Sequence, residues 1–223
     1  MKNALIIGAS GGIGSALQTA YSKNNIFGVI NTLTRSKDSF DIRDEKSVTR
    51  ALENQDYLYD VVIIATGGVE INNNGPEKTI KKLSANNMIE QFSLNAVGPA
   101  LILKHIHKLI PKSQSSHVII LSARVGSISD NRLGGWISYR TAKAALNQIV
   151  RTSAIEIKRT HPKACLLAVH PGTVDTNMTK NYTSHAKVSA EKAANDIINL
   201  TKNFDANDSG NFFDWAGKII PWL

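Results

Sequence analysis

The fold is decided near the amino terminus by Ala4-Leu5-Ile6-Ile7-Gly8-Ala9-Ser10-Gly11-Gly12-Ile13-Gly14-Ser15-Ala16-Leu17. A short apolar run, then glycines, then a helical pattern predict a buried strand, a tight turn and a helix. Glycines let a ligand approach the backbone, and free N–H groups at a helix start, together with the helix dipole, hold an anion. The Gly-x-x-x-Gly-x-Gly spacing therefore predicts a pyrophosphate site, with a plain glycine turn as the alternative.

Outward from this turn, strand-like and helix-like segments alternate along the whole chain. The predicted strands are Asn3–Ile7, Phe27–Leu33, Ser39–Ile42, Val61–Ala65, His117–Leu121, Leu166–Val169 and Phe212–Phe213. The predicted helices are Ile13–Lys23, Glu45–Asn54, Ser84–Leu109, Ile137–Arg159 and Ala190–Leu200. Such alternation implies parallel pairing and right-handed crossovers. We expect an α/β fold: one doubly wound Rossmann-type domain over residues 1–223, with a mostly parallel seven-stranded sheet flanked by helices.

Composition narrows the possible surroundings and partners. The formal charge is +8, but the basic residues are scattered rather than grouped as in nucleic-acid binders. No apolar run approaches the roughly 20 residues that span a membrane, and residues 1–7 do not resemble a secretory signal. The single cysteine, Cys165, lies in an apolar run. We expect a cytoplasmic protein with no nucleic-acid, membrane or metal partner; a basic nucleic-acid binder stays a third possibility, testable by salt-dependent DNA binding.

A tyrosine and a lysine four residues apart carry the predicted chemistry. On the helix predicted for Ile137–Arg159, Tyr139 and Lys143 lie on one face. A free phenol has a pKa near ~10, and a nearby ammonium lowers it. Tyr139 could then exchange a proton with a carbonyl or hydroxyl oxygen.

With its glycine turn and Tyr-x-x-x-Lys motif in this order, the chain resembles the short-chain dehydrogenase/reductase family over nearly its whole length. Residues 122–131 and 210–215 further resemble the C-factor and sniffer-type carbonyl reductases. The resemblance implies an oxidoreductase that moves a hydride between a nicotinamide cofactor and a carbonyl or alcohol substrate. A non-catalytic dinucleotide-binding sensor or signalling protein on the same scaffold is the alternative.

The resemblance also implies where the cofactor lies. An NAD-preferring relative would be expected to carry an acidic residue at the end of the second strand, whereas this chain has Arg35, which suits the 2′-phosphate of NADP. We therefore expect NADP(H) rather than NAD. Asp41-Ile42 resembles the family's pair of an aspartate and a hydrophobic residue that contacts the adenine. The alternatives are an exposed loop arginine for Arg35 and a turn aspartate for Asp41. The expected cofactor contacts are Gly8, Ser10, Gly12, Ile13, Gly14, Arg35, Asp41, Ile42, Ala65, Thr66, Gly67, Asn95, Tyr139, Lys143, Pro171, Gly172, Val174 and Thr176.

Two further catalytic positions follow from the same resemblance. Asn95 matches an asparagine that perturbs the family's long helix and holds a water of the proton relay. The serine that usually holds the substrate oxygen is replaced by Ala123. Ser122 is named first as its substitute, although strand alternation points it to the opposite face, and Ser127 in the following loop is named second.

The carboxyl-terminal third and the long helices complete the expectations. Residues 177–188 should form a short, polar and basic substrate lid that gives a bulky apolar substrate little cover. In the family, the helices corresponding to Ser84–Leu109 and Ile137–Arg159 pack between subunits, which implies a homodimer or homotetramer. The alternative is that this helix face simply covers the sheet. The substrate is expected to be a small carbonyl compound or alcohol.

Overall fold

The computed structural model describes residues 1–72, 74–182 and 186–222. The strands are β1 (Lys2–Ile7), β2 (Phe27–Leu33), β3 (Val61–Ile64), β4 (Ser116–Leu121), β5 (Ala164–His170) and β6 (Phe212–Asp214). The α-helices are α1 (Gly12–Ser22), α2 (Arg35–Asp38), α3 (Glu45–Glu53), α4 (Ala85–Phe92), α5 (Gly98–Leu109), α6 (Ile137–Ile157) and α7 (Ala190–Asn203). Short 3-10 turns cover Ile80–Lys82, Arg124–Gly126 and Asn177–Thr179.

The strands form one parallel sheet in the order β2-β1-β3-β4-β5-β6. The chain leaves β1 toward β2 on one side and returns to β3 on the other, so the winding direction changes between β1 and β3. In sheets of this kind, ligands bind at that point, beyond the carboxyl ends of the strands. The α/β Rossmann-type fold predicted from the sequence is confirmed.

The two faces of the sheet bury separate apolar clusters because side chains alternate along each strand. One cluster lies under α3, α5 and α6, and Ile7, Ile64 and Ile120 contribute the strand side. The other lies under α1 and α7, where Ile6 and Ile63 meet the helices. In the described part of the chain, no helix is long and apolar enough to cross a membrane.

The sheet has six strands among the described residues, and the predicted strand Ser39–Ile42 is wrong. Thr34 caps the short helix α2, which ends at Ser39 in a left-handed conformation (φ 49°). Phe40 and Ile42 are buried and the residues around them are more exposed, which gives the segment the alternation of a strand. Its Asp41 amide instead donates to the Ser47 hydroxyl, so the segment packs on the core without pairing.

The helix predicted over Ser84–Leu109 is helical throughout but not uniform. Ser84 caps α4, and a π-helical turn over Ser93–Val97 separates α4 from α5. Asn95 lies in the middle of that turn, so the local perturbation expected at this residue is present. Such π-turns are rare and occur often at functional sites.

Candidate active site

The glycine turn leaves an open helix terminus at the carboxyl end of β1. Gly8 has φ 93°, and Gly11 precedes α1 without a side chain that could cap it. A Cβ at Gly14 would lie 2.3 Å from the Gly8 carbonyl oxygen, so only glycine allows this close approach. The first N–H groups of α1 are thus directed at space where a phosphate can sit.

The segment after β5 returns to the same turn. The methyl group of Thr176 lies 2.5 Å from where a Cβ of Gly12 would be. The segment that holds the expected cofactor contacts Pro171, Gly172, Val174 and Thr176 therefore adjoins the glycine turn. Gly172 has φ 82° and lies against the Trp215 ring. Val174 is buried and pairs with Val188 across a single bridge, which fixes the start of the expected lid. Residues 183–185 of that lid lie outside the described residues.

Arg35, Asp41 and Ile42, which are expected to contact the adenosine end of the cofactor, differ in their exposure and in their partners. Arg35 is exposed at the first position of α2. The Asp41 carboxylate accepts two bonds of 3.3 Å from the Arg43 guanidinium, which together with the charge of Arg35 holds the pKa of Asp41 below its usual range. The side chain of Ile42 is buried against Gly98, so only its backbone could face a nucleotide.

The segment that follows β3, from Ala65 to Gly67, packs closely against the glycine turn. The Thr66 methyl lies 3.2 Å from a Cβ built on Gly8. The Thr66 hydroxyl is buried and has no hydrogen-bond partner among the described residues. Gly67, with φ 137°, leaves no room for a side chain, because a Cβ there would lie 2.8 Å from Asn95 Oδ1 and 3.4 Å from Lys143 Nζ.

Asn95 braces the backbone of the segment that follows β3. Its side-chain oxygen accepts from the Gly68 amide at 3.1 Å, and its Nδ2 donates to the Gly68 carbonyl at 2.9 Å. Gln91, fully buried one helical turn earlier, accepts from Asn95 Nδ2 and donates to the Val69 carbonyl. Gln91 was not predicted as a site residue, and its only signal in the sequence is its position four residues before Asn95.

Tyr139 and Lys143 meet in the first turns of α6. Both side chains are buried, and the Lys143 ammonium lies 5.8 Å from the centre of the Tyr139 ring. Lys143 Nζ also donates to the Leu121 carbonyl at the end of β4, at 3.1 Å. Gly67 lies against both Asn95 and Lys143, so the structure brings three of the predicted catalytic and cofactor residues to one place.

Burial, rather than the neighbouring ammonium, dominates the electrostatics of this pair. It raises the pKa of Tyr139, and Tyr182 raises it further, whereas the sequence analysis expected it to fall. Burial also lowers the pKa of Lys143 to about 8. At neutral pH the lysine is therefore charged and the phenol is protonated, which is the state needed to donate a proton to a carbonyl oxygen.

The two serines named as substitutes for Ala123 both already donate to protein acceptors. The Ser122 hydroxyl donates to Asn147 Oδ1 at 2.6 Å, about two helical turns beyond Tyr139 on α6. The Ser127 hydroxyl donates to the Pro221 carbonyl at 2.5 Å. The Ser127 hydroxyl is therefore bound to the carboxyl-terminal segment, and the Ser122 hydroxyl is bound to α6.

Aromatic side chains adjoin Tyr139 where the sequence analysis expected a polar lid. The Trp136 ring lies edge-on to Tyr139, with centroids 6.2 Å apart, and to Tyr182, at 5.2 Å. The Tyr182 hydroxyl donates to Glu70 at 3.0 Å. Trp136 has φ 57°, an uncommon conformation for a bulky residue. Its place after Gly134-Gly135 was the only local signal.

Together these residues fit a dinucleotide. The open terminus of α1 suits the pyrophosphate, and the methyl group of Thr66 packs beside that turn. Arg35 offers a cation at the outer end of the site. Lys143 and Asn95 mark the end at which a nicotinamide would meet Tyr139. Among the described residues, no group of three potential metal ligands is present.

Comparison with known proteins gives a family match over most of the chain. Residues 2–187 match the family model described as short chain dehydrogenase. A 1-hydroxy-2-glutathionyl-2-methyl-3-butene dehydrogenase of Rhodococcus sp. (strain AD45) is 32% identical over 133 residues, which cover 59% of this chain and 57% of that protein. The Myxococcus xanthus C-signal is 30% identical over 135 residues, covering 60% of this chain and 78% of that protein. The chain thus spans little more than half the length of the Rhodococcus relative.

Solved structures share the fold over the full chain. The carbonyl reductase Sniffer of D. melanogaster superposes with a TM-score of 0.83 at 19% identity, covering 100% of both chains. An NADPH-bound carbonyl reductase from chicken gives a TM-score of 0.78 at 22% identity, covering 100% of this chain and 99% of the other. At these identities the likeness concerns the fold.

Proposed function

Because this chain belongs to the short-chain dehydrogenase/reductase family, we propose that it is an NADPH-dependent carbonyl reductase in which Tyr139 donates the proton. The observation that carries this proposal is that Lys143 lies against the Tyr139 ring and, together with Asn95, against Gly67, in the segment whose Ala65 and Thr66 pack on Gly8 of the glycine turn. A protonated Tyr139 hydroxyl can donate the proton that carbonyl reduction requires. Structural neighbours that hold NADPH or NADP support the choice of cofactor.

In the proposed reaction, the substrate carbonyl oxygen accepts a hydrogen bond from the Tyr139 hydroxyl. NADPH supplies the hydride that adds to the carbonyl carbon. The oxygen takes the Tyr139 proton as negative charge builds on it, and the product is an alcohol. Lys143 opposes the negative charge that this leaves on the phenol, and it would donate to the ribose of a bound nucleotide. Asn95 keeps the backbone beside Gly67 in place and, as its resemblance implies, holds a relay water.

Arg35 should set the preference for NADPH over NADH. Its guanidinium can pair with the 2′-phosphate, which NADH lacks. We expect wild-type protein to bind NADPH at least about tenfold tighter than NADH, and Arg35→Ala to lose most of that preference, a change of about 1–3 kcal/mol. Fluorescence titration of both nucleotides measures it.

The matched control for this titration is Arg50→Ala, which removes another exposed arginine, on α3. It should leave the ratio of the two dissociation constants unchanged. Equal affinities of wild-type protein for NADPH and NADH would refute the NADP assignment.

We further propose that Trp136 and Tyr182 form an aromatic wall that favours flat substrates. Aromatic rings attract one another in edge-on and offset arrangements by about 0.5–1.5 kcal/mol. Trp136→Leu should therefore lower kcat/KM for benzaldehyde by about three- to tenfold relative to cyclohexanecarbaldehyde. Parallel kinetics with the two aldehydes tests this, and an unchanged ratio would reject the wall.

A non-catalytic dinucleotide sensor is the second candidate, favoured by Ala123 at the usual serine position and by the engagement of both nearby serines. It predicts tight NADPH binding without turnover across a broad panel of aldehydes and ketones. The reductase proposal predicts turnover on the same panel.

Three expectations about organisation extend the proposal. The whole chain is one NADP-binding domain, and residues 177–188 cover the substrate, with Tyr182 tied to Glu70 as a support for that role. A homodimer or homotetramer is favoured by the exposed Ile89, Val97 and Ile155 on the long helices.

A further inference from the structure

Glu77 is a buried carboxylate that lies far in sequence from everything it contacts in α6. It belongs to the connection between β3 and α4, and only 5% of it is exposed. One carboxylate oxygen accepts from the Ser138 hydroxyl and from Asn87 Nδ2, the latter at 2.7 Å. The other accepts from the Ser138 amide at 3.2 Å, and the Glu77 carbonyl accepts from the Trp136 amide at 2.5 Å.

These contacts provide the amino-terminal cap that α6 does not obtain from the residue that precedes it. The first N–H groups of a helix lack internal partners, and a capping side chain normally accepts from one of them. The residue before α6 is Trp136, in a left-handed conformation and without a side-chain acceptor. Glu77 supplies the acceptor from another part of the chain, and its negative charge suits the positive end of the helix dipole. The hydrogen bonds hold the pKa of the Glu77 carboxyl below its usual value despite the burial.

The residue next to Ser138 is Tyr139. A terminal helical turn without a cap frays, and Tyr139 would then lose the i, i+4 relation that brings its ring to Lys143. We infer that Glu77 is a positioning residue, which fixes the Tyr139 hydroxyl by capping the first turn of α6 through Ser138. The expected effect on kcat rests on the proposed function. The capping of α6 by Glu77 is independent of it.

The sharpest variant is Glu77→Gln, which keeps the shape but turns one acceptor oxygen into an NH2 donor. In one orientation of the amide that donor opposes the Ser138 amide, and in the other it opposes Asn87 Nδ2. We expect kcat to fall about 10- to 100-fold, while the KM for NADPH changes less than about twofold, because misplacing a catalytic group affects the chemical step. Ser138→Ala should show a smaller fall in kcat. The double variant should be no slower than Glu77→Gln alone, because both changes break one network.

A second readout does not depend on turnover. Hydrogen exchange of the backbone amides of residues 137–140, measured by mass spectrometry, should accelerate in Glu77→Gln and remain as in wild type elsewhere in α6. If wild-type protein reduces no carbonyl, the proposed function fails, and this exchange result alone decides whether Glu77 caps α6.

Asp44→Ala is the matched control, because Asp44 caps α3 with its own carboxylate. Asp44→Ala should lower the free energy of unfolding about as much as Glu77→Gln does, and it should leave kcat at saturating NADPH unchanged. Unchanged kcat and unchanged exchange in a folded Glu77→Gln protein would overturn the inference, as would an equal fall of kcat in Asp44→Ala. If Glu77→Gln does not fold, Ser138→Ala decides by the same two measurements.

Discussion

Tyr139→Phe should lower kcat for NADPH-dependent carbonyl reduction by about 10³-fold and leave NADPH binding nearly unchanged. General acid catalysis contributes typically 10²–10⁴-fold, and phenylalanine retains the ring without the proton. The nucleotide is expected to bind mainly through the glycine turn and Arg35, far from the lost hydroxyl. Steady-state kinetics and fluorescence titration with NADPH measure the two quantities.

Tyr21→Phe provides a matched control for this substitution. The Tyr21 hydroxyl is also buried, has no hydrogen-bond partner among the described residues, and belongs to the far end of α1. Its loss should leave kcat unchanged. A Tyr139→Phe protein with more than about a tenth of wild-type kcat would contradict the role of Tyr139 as the proton donor.

Lys143→Met should abolish most activity and, at the same time, stabilise the folded protein. The ammonium is buried, and its pKa falls to about 8 from the usual 10.5. Near pH 7 both folded and unfolded chains carry the charge, and the folded chain bears the full cost of burying it, about 3 kcal/mol. The lost bond to the Leu121 carbonyl offsets about 1 kcal/mol of the gain. We expect a net stabilisation of roughly 1–2 kcal/mol at pH 7.

The pH dependence gives this second prediction a further check. Between pH 8 and 10.5 the unfolded chain binds more protons at this position than the folded chain does. The contribution of Lys143 to wild-type stability must therefore rise with pH across that window, and the variant should lack this rise. The advantage of Lys143→Met, measured as the free energy of unfolding in urea, should shrink from pH 7 to pH 10.

Lys104→Met serves as the control, since Lys104 is exposed and forms a surface ion pair with Glu45. It should change stability little and leave activity intact. A Lys143→Met protein that is less stable than wild type at pH 7 would contradict the prediction that burial of the charged ammonium destabilises the folded protein.

The features that the sequence predicted are those whose signals are local. Gly8 and Gly14 specify the turn because a side chain at either position would collide with backbone atoms, and Gly12 leaves room for the Thr176 side chain. Tyr139 and Lys143 are brought to one helix face by spacing alone. The order of strands and helices was sufficient for the fold, except that Phe40 and Ile42 imitate a strand by alternating burial without a pairing partner.

The features that it missed depend on partners distant along the chain. Glu77 and Ser138 are 61 positions apart, and neither has a local pattern that announces the cap. The engagement of Ser127 with the Pro221 carbonyl depends on where the carboxyl-terminal segment lies. The rise in the Tyr139 pKa depends on how deeply α6 packs, which spacing does not encode.

The most direct test of hydride transfer uses NADPH deuterated at C4 of the dihydronicotinamide ring, with a panel of aldehydes and ketones and mass analysis of the products. We predict one deuterium on the carbinol carbon of the product formed by the wild-type protein, from one of the two C4 positions, and almost no product with Tyr139→Phe. Transfer from neither C4 position to any carbonyl, by folded protein that binds NADPH, would contradict the account.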